Sequence, residues 1–206
     1  MTSGIAPLLL SLLCAAPSPA TSSDATALIA RLARPAPART AYTEVRFVRV
    51  LRKPLVLHGQ LEYGGPGQLG KRVDAPYRET TKIADGAVEV LREGRAPRHF
   101  DLARAPELQA LLTGFSALLG GDAATLQQFY TISLVENAAK WTLSLAPRKP
   151  AQHLRALVVD GAESEPRCFT VQQADGDSST LLLGPLAEKA LPQALTPAAV
   201  AAICAP

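Results

Sequence analysis

From residue 40 to residue 102, and again from 129 to 183, apolar and polar residues alternate with a period of two in short runs that end at turn-forming residues. TAYTEVRFVRVL (40–51) sets Val45 and Phe47 on one face and Glu44 and Arg46 on the other. In LVLHGQLEY (55–63), Leu55, Leu57, Leu61 and Tyr63 alternate with Val56, His58, Gln60 and Glu62. Such a period makes a half-buried strand, because successive side chains point to opposite faces. Further runs cover 77–83, 88–91, 98–102, 129–137, 141–147, 153–159, 167–173 and 179–183, with turns read at Asp85-Gly86, Gly94, Asp160-Gly161 and Asp175-Gly176-Asp177. About ten strands, closely spaced and joined by turn chemistry, predict an antiparallel meander rather than βαβ units.

One segment breaks the rhythm. In APELQALLTGFSALLGGD (105–122), Leu108, Leu111, Leu112, Phe115, Leu118 and Leu119 recur at helical spacing, Pro106 suits a first turn, and Gly120-Gly121 stops the run. Shorter helices are predicted after the caps Ser22, Ser23 and Asp24, around 123–128, and after Thr196-Pro197. A sheet with one apolar face must be covered or must close around something. With so few helices, the economical arrangement is a curved antiparallel sheet, an incomplete or half β-barrel, wrapped over helices with the leucine-rich one as a lid.

GGPGQLG (64–70) contains a literal G-x-G-x-x-G. That fingerprint cradles a pyrophosphate only where a helix leaves the glycines. What leaves them is KRVDAPYRETTKI, with β-branched residues and Pro76 in its middle, so the stretch reads as a turn between two strands.

The first twenty residues read as a signal peptide: an apolar run over 5–16, then Pro17, Ser18, Pro19 and Ala20, with no Lys or Arg before the run. Leu13 stands where a small residue precedes a lipidated cysteine, so Cys14 is not assigned to an anchor. Removal of residues 1–20 leaves a single domain, 21–206, exported and soluble. The net charge of +3, from 21 basic and 18 acidic residues without a like-charge block, gives no support for nucleic acid. Cys168 and Cys204 are read as one disulfide stapling the C-terminal tail to the sheet, with two separate buried thiols as the alternative.

Catalytic signatures are missing. There is no H-E-x-x-H, C-x-x-C or G-x-S-x-G, His58, His99 and His153 sit in strand patterns, and Ser116 reads as a helix residue. No enzyme, metal site or cofactor is expected. The inward candidates are Phe47, Leu57, Leu61, Tyr63, Trp141, Leu143 and Leu145, facing Leu111, Leu112, Phe115, Leu118 and Leu119 of the central helix. They fill a core or line a dry cavity for acyl chains, each buried CH₂ contributing about 0.8 kcal/mol.

The order of motifs resembles the LolA family, periplasmic carriers of outer-membrane lipoproteins. The matching stretches are GQLEYGGPGQL (59–69), APYRETTKIADGAVEVL (75–91), FYTISLVENAAKWTLSLAPR (129–148), the Asp160-Gly161 turn and QQADGDSSTLLL (172–183). They are similar to the family's G-x-L-x-x-x-x-P step, its P-x-E-x-x-x-x-D-G strand and turn, its aromatic-x-L-x-P strand and its late polar hairpin. The resemblance implies a monomeric carrier that takes a lipoprotein or other lipid-like cargo from an inner-membrane donor to an outer-membrane acceptor. The family's main type keeps an arginine before the proline of the first motif, where it holds the lid closed. This sequence has Gly65 there, with Arg46, Lys71 or Arg72 as candidate substitutes. The departure leaves room for a different cargo, such as the aryl-polyene pigment lipids whose pathways divergent LolA-like proteins accompany. A scaffold or sensor that binds a protein partner is the alternative; it predicts an exposed apolar patch and no cavity.

Overall fold

The computed structural model describes residues 22–149 and 151–205; the segment expected to be a signal peptide, with Cys14, lies outside them. Eleven strands form one antiparallel sheet: β1 (Ala38–Phe47), β2 (Leu55–Gly65), β3 (Gln68–Ala75), β4 (Glu79–Ala84), β5 (Ala87–Arg92), β6 (Arg98–Asp101), β7 (Tyr130–Asn137), β8 (Lys140–Pro147), β9 (Leu154–Ala162), β10 (Glu165–Gln173) and β11 (Ser178–Leu183). Their spatial order is β6-β5-β4-β3-β2-β1-β11-β10-β9-β8-β7. Two meanders thus join where β1 pairs with β11, Tyr42 opposite Leu183 and Glu44 opposite Leu181. The sheet is unclosed, with β6 and β7 as its edges, which matches the half-barrel expectation.

Four α-helices accompany the sheet among the described residues: α1 (Ser22–Arg31), α2 (Pro106–Leu119), α3 (Ala123–Phe129) and α4 (Pro197–Cys204). The first three pack on the inner face. Leu28, Ile29 and Leu32 from α1 and the residue after it, Leu118 from α2, and Leu126 from α3 are fully buried against Leu134, Trp141, Leu143, Leu145, Leu157 and Val159 of β7, β8 and β9. Burying each such side chain stabilises the fold by about 1.5–3 kcal/mol. Edge strand β7 lies beneath α1, while β6 is exposed along its whole length and carries Arg98 and Asp101, charges that discourage pairing with another chain.

On the outer face, Val45, Cys168, Leu182, Leu186, Val200 and Cys204 form a second core, with Phe47 packed against it. Here α4 docks, capped by the Thr196 hydroxyl, which accepts from the Ala199 amide at 3.1 Å. Cys168 and Cys204 are disulfide-bonded, so the staple is formed rather than two separate thiols.

Three sequence expectations are corrected. The sheet has an eleventh strand, β3, in place of part of the turn region after the glycines. Asp160 and Gly161 lie inside β9, and the chain turns at Glu163 and Ser164 instead. Gly161 serves packing: a Cβ there would sit 2.1 Å from Trp141 Cζ2. Finally, β1 ends at Phe47, leaving Val50 and Leu51 exposed.

Candidate functional site

Helices fill the inner face of the β1–β6 half only in part, where Leu108 and Leu112 of α2 pack on Val88 and Val90, and its side chains can be followed in rows across the strands. One row runs Ala38, Tyr63, Leu69, Ile83, Val88, Phe100 and is apolar throughout. The next runs Thr40, Leu61, Lys71, Thr81, Val90, Arg98 and mixes apolar with basic groups. Across the β1–β11 seam the inward residues are Leu183, Leu181 and Ser179, then Arg167, Phe169 and Val171 of β10. Helix α2 crosses above them. Between helix and sheet lies a cavity of about 1430 Å³, the volume class of a site for a sizeable apolar ligand. A smaller hollow of about 380 Å³ around Arg72, Arg92 and Arg95 has a more charged lining and lies at the surface.

Six of the twelve apolar residues singled out in the sequence line this cavity: Leu61 and Tyr63 from β2, and Leu111, Leu112, Phe115 and Leu119 from α2. Phe115 meets Phe169 with ring centroids 5.1 Å apart. Five others, Leu57, Leu118, Trp141, Leu143 and Leu145, belong to the solid core beside it. Phe47 is on the opposite face, under the C-terminal segment, and the reason is β1 itself. Both faces of this central strand are covered, so Val45 is fully buried outside and Glu44 is 3% exposed inside. Alternation separates two faces but does not say which one looks into the cavity.

Glu44 is the residue that sequence reasoning missed. Its carboxylate accepts from Arg46 Nε at 2.8 Å and Nη2 at 3.1 Å, and also from Lys71 Nζ and Ser179 Oγ. Burial pushes a carboxylate up, but the guanidinium hydrogen bonds and the Lys71 charge outweigh it, and the Glu44 group stays ionised below the usual range. Burial holds Lys71 below its ordinary value despite Glu44, while the carboxylate raises Arg46. The Lys71 ammonium also stands 5.1 Å from the centroid of the Tyr42 ring, a cation–π contact with a buried phenol whose hydroxyl has no partner. Pairing a buried charge is what makes its burial tolerable.

The three candidate substitutes for a lid-holding arginine are therefore occupied elsewhere: Arg46 and Lys71 with Glu44, and Arg72 with Asp74 at 2.9 Å on exposed surface. Apart from the packing of Leu108 and Leu112 on Ile83, Val88 and Val90, α2 is tied to this half of the sheet by a backbone group. Pro66 and Gly67 turn the β2–β3 hairpin with Gly67 at φ +74°, the Pro-Gly pattern of a type II turn. The Gly67 amide then donates to Ser116 Oγ of α2 at 2.9 Å. On its other flank α2 is held by the Tyr130 hydroxyl on Ala110 O (3.1 Å), the Arg34 amide on Leu119 O (2.7 Å) and the Glu107 carboxylate on the amides of Gln152 and His153. Gly114 lets the helix approach β7, since a Cβ there would be 2.7 Å from the Tyr130 ring. Among the described residues, no group of three or more His, Cys, Asp or Glu that could hold a metal comes together, and no helix is long and apolar enough to cross a membrane.

A family model described as outer membrane lipoprotein carrier protein LolA-like matches residues 15–206. No curated protein sequence matches the chain. Among solved structures, a LolA superfamily protein from Nitrosomonas europaea, NE2245, is similar at 10% identity and TM-score 0.43, over 84% of this chain and 96% of that one. The Pseudomonas aeruginosa MucA/MucB complex is similar at 15% identity and TM-score 0.41, over 78% of this chain and 55% of that one. The family match spans nearly the whole described chain, and the unclosed sheet with helices on its inner face is the arrangement that match implies. The chain belongs to the LolA-like family of outer membrane lipoprotein carrier proteins, as a divergent member with a fold of the lipid- or lipoprotein-binding type.

Proposed function

We propose that this protein is a periplasmic carrier that holds the acyl chains of a lipoprotein, or of another lipid-like molecule, in the cavity under α2 and shuttles it from the inner to the outer membrane. The observation that carries this reading is the cavity itself: about 1430 Å³ between a leucine-rich helix and an apolar row of strand residues, in a chain of this family. A scaffold needs no such space and would present its apolar residues outward.

The energetics suit a carrier. Each methylene taken out of water contributes about 0.8 kcal/mol, whereas a leucine-lined wall and a bilayer interior are equally apolar, so exchange between them is nearly neutral. Retention then depends on how firmly α2 stays over the cavity, and release on its displacement by a partner. Donor and acceptor proteins at the two membranes are part of this proposal, as is cleavage of residues 1–20 as a signal peptide and action as a monomeric single domain. The twelve apolar residues reduce here to six that line the cavity, with Phe169, Leu181 and Val171 added from the other meander.

The test is native mass spectrometry of the protein purified from its own periplasm, followed by extraction and identification of what it holds. A co-purifying lipid or acylated peptide is expected. Recovery of apo-protein alone, together with no uptake of acyl chains in vitro, would overturn the reading.

A further inference from the structure

Building on the carrier reading, we propose that the cavity is made for an anionic amphiphile, with Lys71 and Arg46 binding a carboxylate or phosphate at the head of the apolar chain. The two cations share one carboxylate, so the cluster of Glu44, Arg46, Lys71 and Ser179 carries one positive charge in excess on a partly buried stretch of a cavity wall that is otherwise a mixture of apolar and charged groups. An uncompensated charge in low dielectric is costly unless something of opposite sign completes it. Glu79 acts on Lys71 from a distance but is paired with Arg92 at 3.9 Å, and among the described residues no second carboxylate forms an ion pair with Lys71 or Arg46. Arg98 shares the Lys71 row and Arg167 neighbours Leu183; both line the cavity with no ion-pair partner among the described residues, so the wall as a whole is short of anions.

Donor geometry agrees. Of the five N–H groups of Arg46, two are spent on Glu44, and of the three on Lys71, one. Five therefore remain for an incoming oxyanion. Glu44 fixes the two head groups in position without saturating them, which is preorganisation of the kind that lowers the cost of ordering long side chains on binding. Desolvation, with the nearby Arg46 charge, holds Lys71 below its ordinary value even though Glu44 and Glu79 pull it upward. The register supplies the rest of the ligand's outline: the basic groups of β1 and β3 are followed, toward the β2–β3 hairpin, by the fully apolar row of Tyr63, Leu69, Ile83 and Val88 under Leu112 and Phe115. A molecule with one charged end and one greasy end fits that order, and a neutral acyl ester leaves the cations unanswered.

The experiment compares ligands of one chain length on residues 21–206: hexadecanol, palmitate and hexadecyl phosphate, with inorganic phosphate as the tailless probe, each titrated against a cavity-bound apolar fluorophore. Palmitate and hexadecyl phosphate are expected to bind about tenfold or more tighter than hexadecanol, as charge-assisted hydrogen bonds do, and inorganic phosphate far more weakly than either. Lys71→Met should bring the three chains to within about threefold of one another while hexadecanol binding is retained. Glu44→Gln, which removes the competing carboxylate but keeps the contact shape, should widen the preference; this variant decides the matter if Lys71→Met does not fold. Equal wild-type affinities, a loss in Lys71→Met that affects all three chains alike, or a narrower preference in Glu44→Gln would overturn the headgroup site and leave the carrier reading intact. Inorganic phosphate binding as tightly as hexadecyl phosphate would overturn it in favour of a free-anion site. Failure of every chain to bind removes the carrier reading, and this inference with it.

Discussion

The hairpin of GGPGQLG should act as the catch of the lid, and removing one oxygen tests this. In Ser116→Ala the Gly67 amide loses its acceptor, a 2.9 Å hydrogen bond joining the β2–β3 turn to α2. The net worth of such a bond is about 1 kcal/mol, with a range of about 0.5–1.5. All of it falls on the step in which α2 lifts from this side of the sheet, because the contacts of α2 with Tyr130, Arg34 and the loop at Gln152 lie on the other flank and persist. A change of 1 kcal/mol raises the open population about fivefold. Dissociation of a cavity-bound fluorescent acyl probe, followed by stopped flow, should accelerate by about that factor, while the melting temperature falls by no more than about 4 °C. Hydrogen exchange at the Gly67 amide gives an independent reading, since a turn amide bonded to Ser116 is protected and the variant's is not. An unchanged dissociation rate together with unchanged Gly67 protection would refute the catch.

Phe115→Asp or Leu112→Asp should release bound acyl probe more strongly than Ser116→Ala, because each puts an ionised group against the cargo and Phe115 also loses its contact with Phe169; equal effects in the same stopped-flow assay would argue that α2 is not the wall of the site. Cys168→Ser with Cys204→Ser opens a link spanning 36 residues and should cost about 3–4 kcal/mol, lowering the melting temperature by about 8–15 °C with little effect on acyl binding, since the staple is on the outer face. The Glu44 carboxyl is held below its ordinary 4.5 in the folded protein, so the unfolded chain takes up its proton first as the medium is acidified. Its contribution is fully present at neutral pH and is lost as pH falls from about 4.5 through the lower folded-state value; urea unfolding should therefore show a shallower acid-side loss of stability in Glu44→Gln, and identical slopes would contradict the pairing.

Much of the architecture is readable in the sequence because the strands are short, alternating and punctuated. The strands and the leucine-rich helix are found within a few residues of their observed bounds, α2 covering Pro106–Leu119 inside the predicted 105–122. What fails, fails for physical reasons. Strand β3 hides because its inward residues are Leu69, Lys71 and Val73, and a lysine at an inward position breaks the apolar alternation that identifies strands. Asp160-Gly161 looks like a turn from local chemistry, yet the Trp141 ring needs the glycine's missing Cβ within β9. In β1 alternation makes the apolar face of Val45 and Phe47 look like the inner one, whereas a strand covered on both sides buries Val45 outside and Glu44 inside. Half of the apolar site candidates line the cavity, and the others pack beside or behind it, because hydrophobicity marks burial and does not distinguish a filled core from a wall.

The two departures from expectation have one physical origin. In the family's main type an arginine next to the hairpin proline holds the lid. Gly65 offers no side chain, and its φ of +121° is one that a side chain would strain. The hairpin instead reaches α2 with a backbone amide, which requires only that Gly67 turn tightly enough to present its N–H to Ser116. A backbone catch leaves the cations of the cavity without a part in closure. Arg46 and Lys71 are then held by Glu44 at the head of the apolar space, where a lid-holding charge would have had to face the helix. On the proposed carrier and headgroup readings, closure and recognition, which one arginine could link in a carrier of the main type, fall to separate groups. Ser116→Ala should therefore speed the release of hexadecanol and palmitate by the same factor, whereas Lys71→Met should speed the release of palmitate alone. A selective effect of Ser116→Ala on the charged ligand would show that the two roles are joined after all.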